Sequence, residues 1–349
     1  MSKAAELAAL IGSQTALSNR NLVINGAMTV SQRGDSTGKT ATGYYGPDRH
    51  ALTLNSLGTW SISQSTDTPS GEGFGNSYKL EATTADASPA AGDYAIFLQK
   101  IEGQNLQQLN KGTSSAESVT LSFYVRSSKT GTYICEIFDN DNSRSISKSY
   151  TISSADTWER KTITFSGDTT GTLGNDNASS LEMLWYLAAG TTYTSGTLQT
   201  SWGTRTAANQ AVGQVNMADT ANATWFITGV QLEVGEQATP FEHRSFGDEL
   251  ARCQRYYIEF GSGGASGCFL GSTFAYVSRT IPQMRATPSI SVETLTGYID
   301  QYGTTSRNAG SVAVSHTEGH IIIYGNSMSG GSTGNPAFLR KQTYLSAEL

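Results

Sequence analysis

Short β-type segments recur from residue 21 to about residue 240, and no helical pattern separates them. Most are rich in β-branched and aromatic residues, as strands are. This recurrence excludes a doubly wound α/β fold and predicts an all-β chain whose main body is a jelly-roll β-sandwich. The predicted strands are Leu22–Val30, Arg49–Leu54, Trp60–Gln64, Ser77–Thr83, Tyr94–Glu102, Val119–Ser127, Gly131–Phe138, Ser145–Ile152, Glu159–Phe165, Leu181–Leu187 and Thr224–Val234.

Alternation within the segment 119–127 predicts one buried and one solvated face. Val119, Leu121, Phe123 and Val125 share one side, and polar residues fill most of the other. That alternation is typical of an antiparallel sheet with one face on a core and one face in water.

The segment 225–257 predicts a domain boundary. A β-rich run ends at Gly235, and Pro240 stands in the turn that follows. Ser245, with Asp248 three residues later, then has the pattern of a helix N-cap. We therefore predict a jelly-roll domain at 21–245, a linking helix at 246–257 and a second domain at 258–349.

The two ends of the chain are predicted to make contacts with other chains. Within residues 1–20, the run 2–13 has the pattern of a short helix, which is marginal alone and needs a surface to lie against. The residue pattern of domain 258–349 predicts a smaller β-sandwich with strands Ala275–Thr280, Ser289–Thr294, Ser311–His316, His320–Tyr324 and Gln342–Glu348. Its small apolar mass favours burial against identical copies.

Charge and composition exclude several partners. The formal net charge of −6 argues against nucleic acid, and no run is long and apolar enough to predict membrane insertion. The N-terminus lacks the pattern of a secretory signal. Three widely spaced cysteines indicate neither a disulfide framework nor a zinc site, so folding in a cytoplasm is expected.

No motif identifies catalytic residues, metal ligands or a cofactor. The run His316-Thr-Glu-Gly-His320 lacks the metalloprotease spacing, and its flanks predict a hairpin turn. Gly71, Gly73 and Gly75 precede no helix and indicate a turn rather than a phosphate loop. No pair of carboxylates is identified as a glycosidase acid and nucleophile, although folding can bring a distant pair together.

Aromatic residues are the candidate ligand contacts, because a flat ring matches the apolar face of a sugar. Trp202 is the first candidate, since it stands in a polar loop, and Trp185, Tyr186 and Trp60 are the others. Trp158 and Trp225 begin strands, which favours core positions.

Several long runs carry a resemblance to a known family. NLVINGAM, KIEGQNLQQL, VTLSFYVRSSKTGTY, TWERKTITFSGDTTGT, LAAGTTY and GVQLEVGEQATPFEHRSFGDELARCQRYY resemble bacteriophage tail-fibre or appendage proteins of marine and cyanobacterial phages. That family is similar in strand pattern to carbohydrate-binding jelly rolls, which often carry a calcium-ligating Asp in the last strand. Here Thr228 and Gly229 occupy that stretch, so the resemblance does not extend to a structural calcium.

The resemblance implies a virion protein made in the host cytoplasm. It predicts a homotrimeric tail fibre without catalytic activity, joined to other virion proteins through the N-terminal helix. Domain 258–349 is expected to be the receptor-binding tip, with a host-surface glycan or lipopolysaccharide as partner. Two alternatives stay open: a fibre-borne polysaccharide depolymerase, and a head, collar or adaptor protein that binds other virion proteins.

Overall fold

The chain is all-β and divides into two compact units. The computed structural model describes residues 19–261, 264–295, 298–301, 305–317, 320–328, 331–339 and 341–349. The first unit ends at Glu249 and includes Leu349, and the second spans Leu250–Glu348. The predicted N-terminal helix lies outside the described residues.

The first unit is a jelly-roll β-sandwich, as the sequence predicts. Sheet 1 has the order β1-β4-β5-β13-β7-β10, and sheet 2 the order β12-β9-β8-β11-β6-β3-β2. The strands are β1 (Ser36–Lys39), β2 (Gly43–Tyr44), β3 (Ala51–Asn55), β4 (Thr59–Ser65), β5 (Ser77–Thr84), β6 (Tyr94–Glu102), β7 (Val119–Ser127), β8 (Gly131–Asp139), β9 (Arg144–Ile152), β10 (Glu159–Phe165), β11 (Ser179–Ala189), β12 (Gly203–Thr204) and β13 (Ala223–Val234). The short helix α1 (Thr191–Thr194) and 3-10 turns at Gly103–Asn105, Gln107–Leu109, Ala207–Asn209 and Met217–Asp219 lie in the connections.

The core lies between the two sheets, and aromatic rings from both sheets meet there. The Phe123 ring of β7 is 5.8 Å from the Trp185 ring of β11, and Phe97 of β6 is 5.4 Å from Trp225 of β13. All four side chains are buried. The inward residues of β7 are those that the alternation predicts.

The outer faces of both sheets are partly covered, and the prediction of a solvated face is wrong in part. Thr120 and Ser122 point outward from β7 but are buried, because Thr120 Oγ1 donates to the Gly235 carbonyl and the residues after it cross this end of the sheet. On sheet 2, Tyr186 and Ile134 pack with Ala211 in a small outer cluster. Residues 190–215 cover that sheet.

The predicted strand Leu22–Val30 is also wrong. Asn25 and Met28 have φ angles of 60° and 57°, in the left-handed region that no strand uses. The Asn25 side chain donates to the Val30 and Asp48 carbonyls, which fixes a turn. Asn followed by Gly at 25–26 is a turn signal that outweighs the apolar residues around it.

The second unit is a smaller β-sandwich. A three-stranded sheet has the order β14-β23-β17, and a seven-stranded sheet has the order β19-β18-β22-β15-β16-β21-β20. The strands are β14 (Tyr257–Phe260), β15 (Ser266–Phe269), β16 (Ala275–Thr280), β17 (Ser289–Val292), β18 (Ile299–Gln301), β19 (Thr305–Arg307), β20 (Ser311–Thr317), β21 (His320–Asn326), β22 (Pro336–Leu339) and β23 (Thr343–Ser346).

Two local predictions in this region can be compared with the structure. Helix α2 (Phe246–Gln254) contains the boundary between the units, and Ser245 Oγ accepts from the Asp248 amide at 3.2 Å, as a cap should. The helix stops before Tyr257, which begins β14 and pairs with Ser346 of β23. Strands β20 and β21 form the predicted hairpin with Thr317 opposite His320, while Glu318 and Gly319 lie outside the described residues.

Candidate functional site

Three of the four aromatic residues chosen from the sequence are fully buried. Trp60 and Trp185 belong to the core between the sheets, and Tyr186 lies under residues 190–215. Each has a polar or aromatic neighbour inside the protein: Trp60 Nε1 donates to the Leu57 carbonyl, and Tyr186 Oη donates to Glu136 at 2.8 Å. With no exposed ring face, these three side chains cannot stack on a ligand in this structure.

Trp202 is half-buried and lies beside the core. Its Nε1 donates to the Ser166 carbonyl at 2.6 Å, and the Lys111 ammonium stands 5.3 Å from the ring centroid. The structure therefore gives Trp202 internal contacts on its N–H and at its ring. Its role in ligand binding stays a prediction.

An open cleft lies on the outer face of sheet 1. We call it the cleft; its volume is about 460 Å³, within the usual range of small-molecule sites. It is lined by residues from β7, β10, β13, the 66–76 loop and the segment 235–244: Glu72, Phe74, Ser122, Tyr124, Arg160, Gly229, Ala238, Thr239, Pro240, Phe241 and His243.

Strands β7, β10 and β13 provide the floor of the cleft. Arg160 stands opposite Tyr124 in the β7–β10 pairing, and Thr228 stands opposite Tyr124 in the β7–β13 pairing. The register of the β7–β13 pairing shifts between Thr228 and Gln231, which marks a β-bulge. Gly229 lies in this bulge and has a φ of 61°. A Cβ on Gly229 would lie 2.6 Å from the Phe74 ring, so glycine allows this ring to lie against the backbone.

The 66–76 loop forms one wall. Thr68 Oγ1 donates to the Phe74 carbonyl, and Thr228 Oγ1 donates to the Asn76 carbonyl, which ties the loop to itself and to β13. Gly71 and Gly73 have φ angles of 81° and 82°, as the tight turns of this loop require. The glycine cluster was the sequence signal for this wall, because it predicts a turn at this point.

The segment 235–244 forms the opposite wall. Thr239 is held by Glu233, whose carboxylate accepts from the Thr239 amide at 2.8 Å and from its hydroxyl at 2.7 Å. Farther along, Arg244 donates to the Val23 carbonyl, and Glu242 accepts from the Asn21 amide. The turn predicted after Gly235 is therefore a fixed part of the fold rather than a free linker.

Three aromatic rings and one imidazole meet across the cleft. Phe74 lies 5.5 Å from Tyr124, 5.0 Å from Phe241 and 5.3 Å from His243, measured between ring centroids. Phe74 is buried, Tyr124 and Phe241 are half-buried, and His243 is exposed. The cleft thus combines flat apolar surface with polar edges.

Polar groups in the cleft both donate and accept hydrogen bonds. Tyr124 Oη donates to Glu72 Oε2 at 2.6 Å, and Arg160 donates to the Thr239 carbonyl at 3.3 Å. Burial, and then the hydrogen bond to Glu72, raise the pKa of the Tyr124 phenol above its ordinary value. Among the described residues that line the cleft, Glu72 is the one carboxylate and Arg160 the one guanidinium, so their formal charges cancel.

A buried lysine stands among oxygen atoms elsewhere in the first unit. Lys111 Nζ lies 2.5 Å from Asp139 Oδ2, 3.1 Å from Asp168 Oδ2, and 3.0 and 2.9 Å from the Thr170 and Gly171 carbonyl oxygens.

In the described part of the chain, no group of three or more His, Cys, Asp or Glu residues is arranged to hold a metal ion. None of the described helices has the length and hydropathy that crossing a membrane requires.

Comparisons with known proteins identify no family for this chain. No family model matches the chain, and no curated protein matches it. Among solved structures, TmCBM61 in complex with β-1,4-galactotriose is similar, with a TM-score of 0.31, 11% identity, and coverage of 62% of this chain and 99% of that one. The family 11 carbohydrate-binding module of Clostridium thermocellum has a TM-score of 0.30 and 13% identity, over 60% of this chain and all of that one.

A phage protein is among the similar structures. The enzymatically active domain of bacteriophage CBA120 tailspike protein 4 has a TM-score of 0.30 and 14% identity. The match covers 62% of this chain but only 21% of that one. The jelly-roll assignment itself rests on the order and pairing of the strands in sheets 1 and 2.

Proposed function

We propose that the first unit binds a glycan in the cleft and that the protein attaches a phage to its host surface. The observation that carries this proposal is that the half-buried rings of Tyr124 and Phe241, packed on buried Phe74, lie beside the polar groups of Glu72 and Arg160. Aromatic rings take up the apolar face of a sugar, while donors and acceptors beside them bind its hydroxyl groups.

The proposal includes binding without catalysis. Glycoside hydrolysis uses two carboxyl groups about 5–10 Å apart. The described residues that line the cleft include one carboxylate, Glu72, and that carboxylate accepts the Tyr124 hydrogen bond. A reducing-end assay on bound polysaccharide tests this point: release of new reducing ends would favour the depolymerase alternative.

A glycan array probed with the full chain tests glycan binding. We expect retention of a set of hydroxyl-rich oligosaccharides, and loss of that signal in Phe241→Ala. Phe246→Ala is the matched control, because Phe246 is 60% exposed and does not line the cleft. An array without any retained glycan, together with capture of neck or head proteins, would favour the adaptor alternative.

The virion role and the assembly belong to the same proposal. The sequence resemblance supports a tail fibre of identical subunits, and many weak cleft contacts on one particle add up to firm attachment. Light scattering at micromolar concentration is expected to give three times the 37.1 kDa chain mass. A monomer mass would refute the trimer.

The proposal assigns glycan binding to the unit that the sequence predicts to be the body of the fibre. Domain 258–349 remains the predicted tip, and its own ligand is a separate question. If the cleft variants bound glycan as well as the wild type, the second unit would become the better candidate.

A further inference from the structure

A second aromatic position lies next to the cleft on the same outer face. Arg126 follows Tyr124 by two residues on β7, and Trp158, directly before the first residue of β10, precedes Arg160 by two residues. Side chains two residues apart on a strand share a face and stand about 7 Å apart. Arg126 and Trp158 therefore continue the floor of the cleft along the strands.

Trp158 is held in place by its neighbours while its residue stays partly exposed. Its Nε1 donates to Asp67 Oδ1 at 2.9 Å, and its ring meets the buried Phe226 ring edge-on at 6.1 Å between centroids. The Arg126 guanidinium lies 5.1 Å from the Phe226 centroid and pairs with Asp67. A fixed, half-buried indole is a preorganised surface for an apolar sugar face.

The 66–76 loop connects this position to the cleft. Asp67, at one end of the loop, contacts Trp158 and Arg126, and Glu72, in its middle, contacts Tyr124. One loop thus borders both places and brings a carboxylate to each.

The charges in the cleft and beside Trp158 do not favour an anionic ligand. In the cleft, the formal charge of Arg160 balances that of Glu72. Beside Trp158, Arg126 meets two carboxylates, Asp67 and Asp156, the latter at 3.4 Å. Lys79, which lies 5.9 Å from the Phe226 centroid, pairs with Glu81. Among the described residues of both places, the cations do not outnumber the carboxylates, so hydroxyl groups rather than carboxylate or phosphate match the surface.

We propose that Trp158, Arg126 and Asp67 form a second subsite, and that the cleft and this subsite together bind a neutral, linear oligosaccharide. The proposal rests on the proposed function of the cleft. The cleft takes one end of the chain, and the Trp158 ring stacks on a sugar farther along it. Affinity therefore rises when the oligosaccharide becomes long enough to reach Trp158.

Titration calorimetry with the full chain tests the proposal, using the best neutral array glycan and its shorter and longer homologues. We expect Trp158→Ala to weaken binding of the long homologue about five- to tenfold and to leave that of the shortest unchanged. Phe246→Ala is the control, because the Phe246 ring is 60% exposed and does not line the cleft. Melting curves identify any variant that fails to fold, and Trp158→Leu, which keeps apolar bulk without the flat ring, then replaces Trp158→Ala.

Each result supports or refutes a specific statement. Affinity that does not depend on length, or equal loss for short and long homologues, would overturn the second subsite while leaving the cleft intact. Preference for a carboxylated or phosphorylated glycan of the same length would overturn the neutral class. Failure of every glycan to bind would refute the proposed function itself.

Discussion

Replacing Lys111 by Met should destabilise the first unit strongly. The Lys111 side chain is 4% exposed, and those of Asp139 and Asp168 are 0% and 3% exposed. Met keeps the length of the side chain but removes the ammonium, which leaves two buried carboxylates side by side. Breaking a buried ion pair on one side costs about 3–5 kcal/mol.

The remaining partners set where in that range the cost falls. Arg144 keeps two hydrogen bonds to Asp168 at 2.8 and 3.0 Å, and Asn142 Nδ2 donates to Asp139 at 2.9 Å. Burial opposes ionisation of Asp168, but the hydrogen bonds from Arg144 and then Lys111 outweigh it and lower the pKa of Asp168. We therefore expect the lower end, about 3 kcal/mol, or a fall in Tm of about 6–12 °C for a unit of this size.

Differential scanning calorimetry of the full chain is the assay. Lys79→Met is the matched control, because its Nζ lies 2.6 Å from Glu81 in a pair whose side chains are 29% and 24% exposed. That control should lose less than about 1 kcal/mol. A Tm of Lys111→Met within about a degree of the wild type would refute the reasoning, as would an equal effect of Lys79→Met.

Three further predictions concern the cleft, acid stability and Trp202. Gly229→Ala should lower the free energy of unfolding by about 1–2 kcal/mol, because the φ of Gly229 is 61°, and melting curves check this effect. The variant should also weaken glycan binding in calorimetric titration, because its Cβ displaces the Phe74 ring. Burial lowers the pKa of His50 to about 3, so the folded state keeps the imidazole neutral. The contribution of neutral His50 to the free energy of unfolding is complete above about pH 6.5 and falls as the pH drops from there towards 3, by about 2 kcal/mol at pH 5. In urea titrations, His50→Gln should lack this part of the acid-induced loss. Trp202→Ala should lower Tm, because the ring packs against the core, and leave glycan affinity unchanged.

Each of these predictions has a contrary outcome. Full affinity in Gly229→Ala would show that Phe74 does not shape the binding surface. Equal acid sensitivity of wild type and His50→Gln would assign the loss to other groups. Loss of binding in Trp202→Ala, with the fold retained, would return the site to the residue that the sequence favoured.

Alternation and β-propensity predict much of the sandwich from the sequence. Strands β6, β7 and β10 have the predicted bounds, because their inward residues face one common core. The segment Leu22–Val30 has a similar composition but no strand, since the Asn25 side chain competes for backbone groups that a sheet would use. Local turn chemistry decided that segment.

The candidate site could not be predicted because exposure depends on contacts between distant residues. Trp185 and Tyr186 are adjacent on β11 and face opposite ways, yet both are buried, one by the core and one by residues 190–215. Trp158, which a strand start places in the core, is instead half-buried at the outer face. Which rings face solvent follows from the segments that cross each sheet, and composition alone does not give their paths.

The most direct test of glycan binding in the cleft compares two tyrosines by calorimetric titration with an array-selected glycan. Tyr124 lines the cleft and donates to Glu72, whereas Tyr344, in the second unit, donates to Gln342 at 3.2 Å. We predict at least about a tenfold loss of affinity for Tyr124→Ala, or about 1.4 kcal/mol, and wild-type affinity for Tyr344→Ala. Wild-type affinity in Tyr124→Ala, or loss of binding in Tyr344→Ala alone, would contradict glycan binding in the cleft.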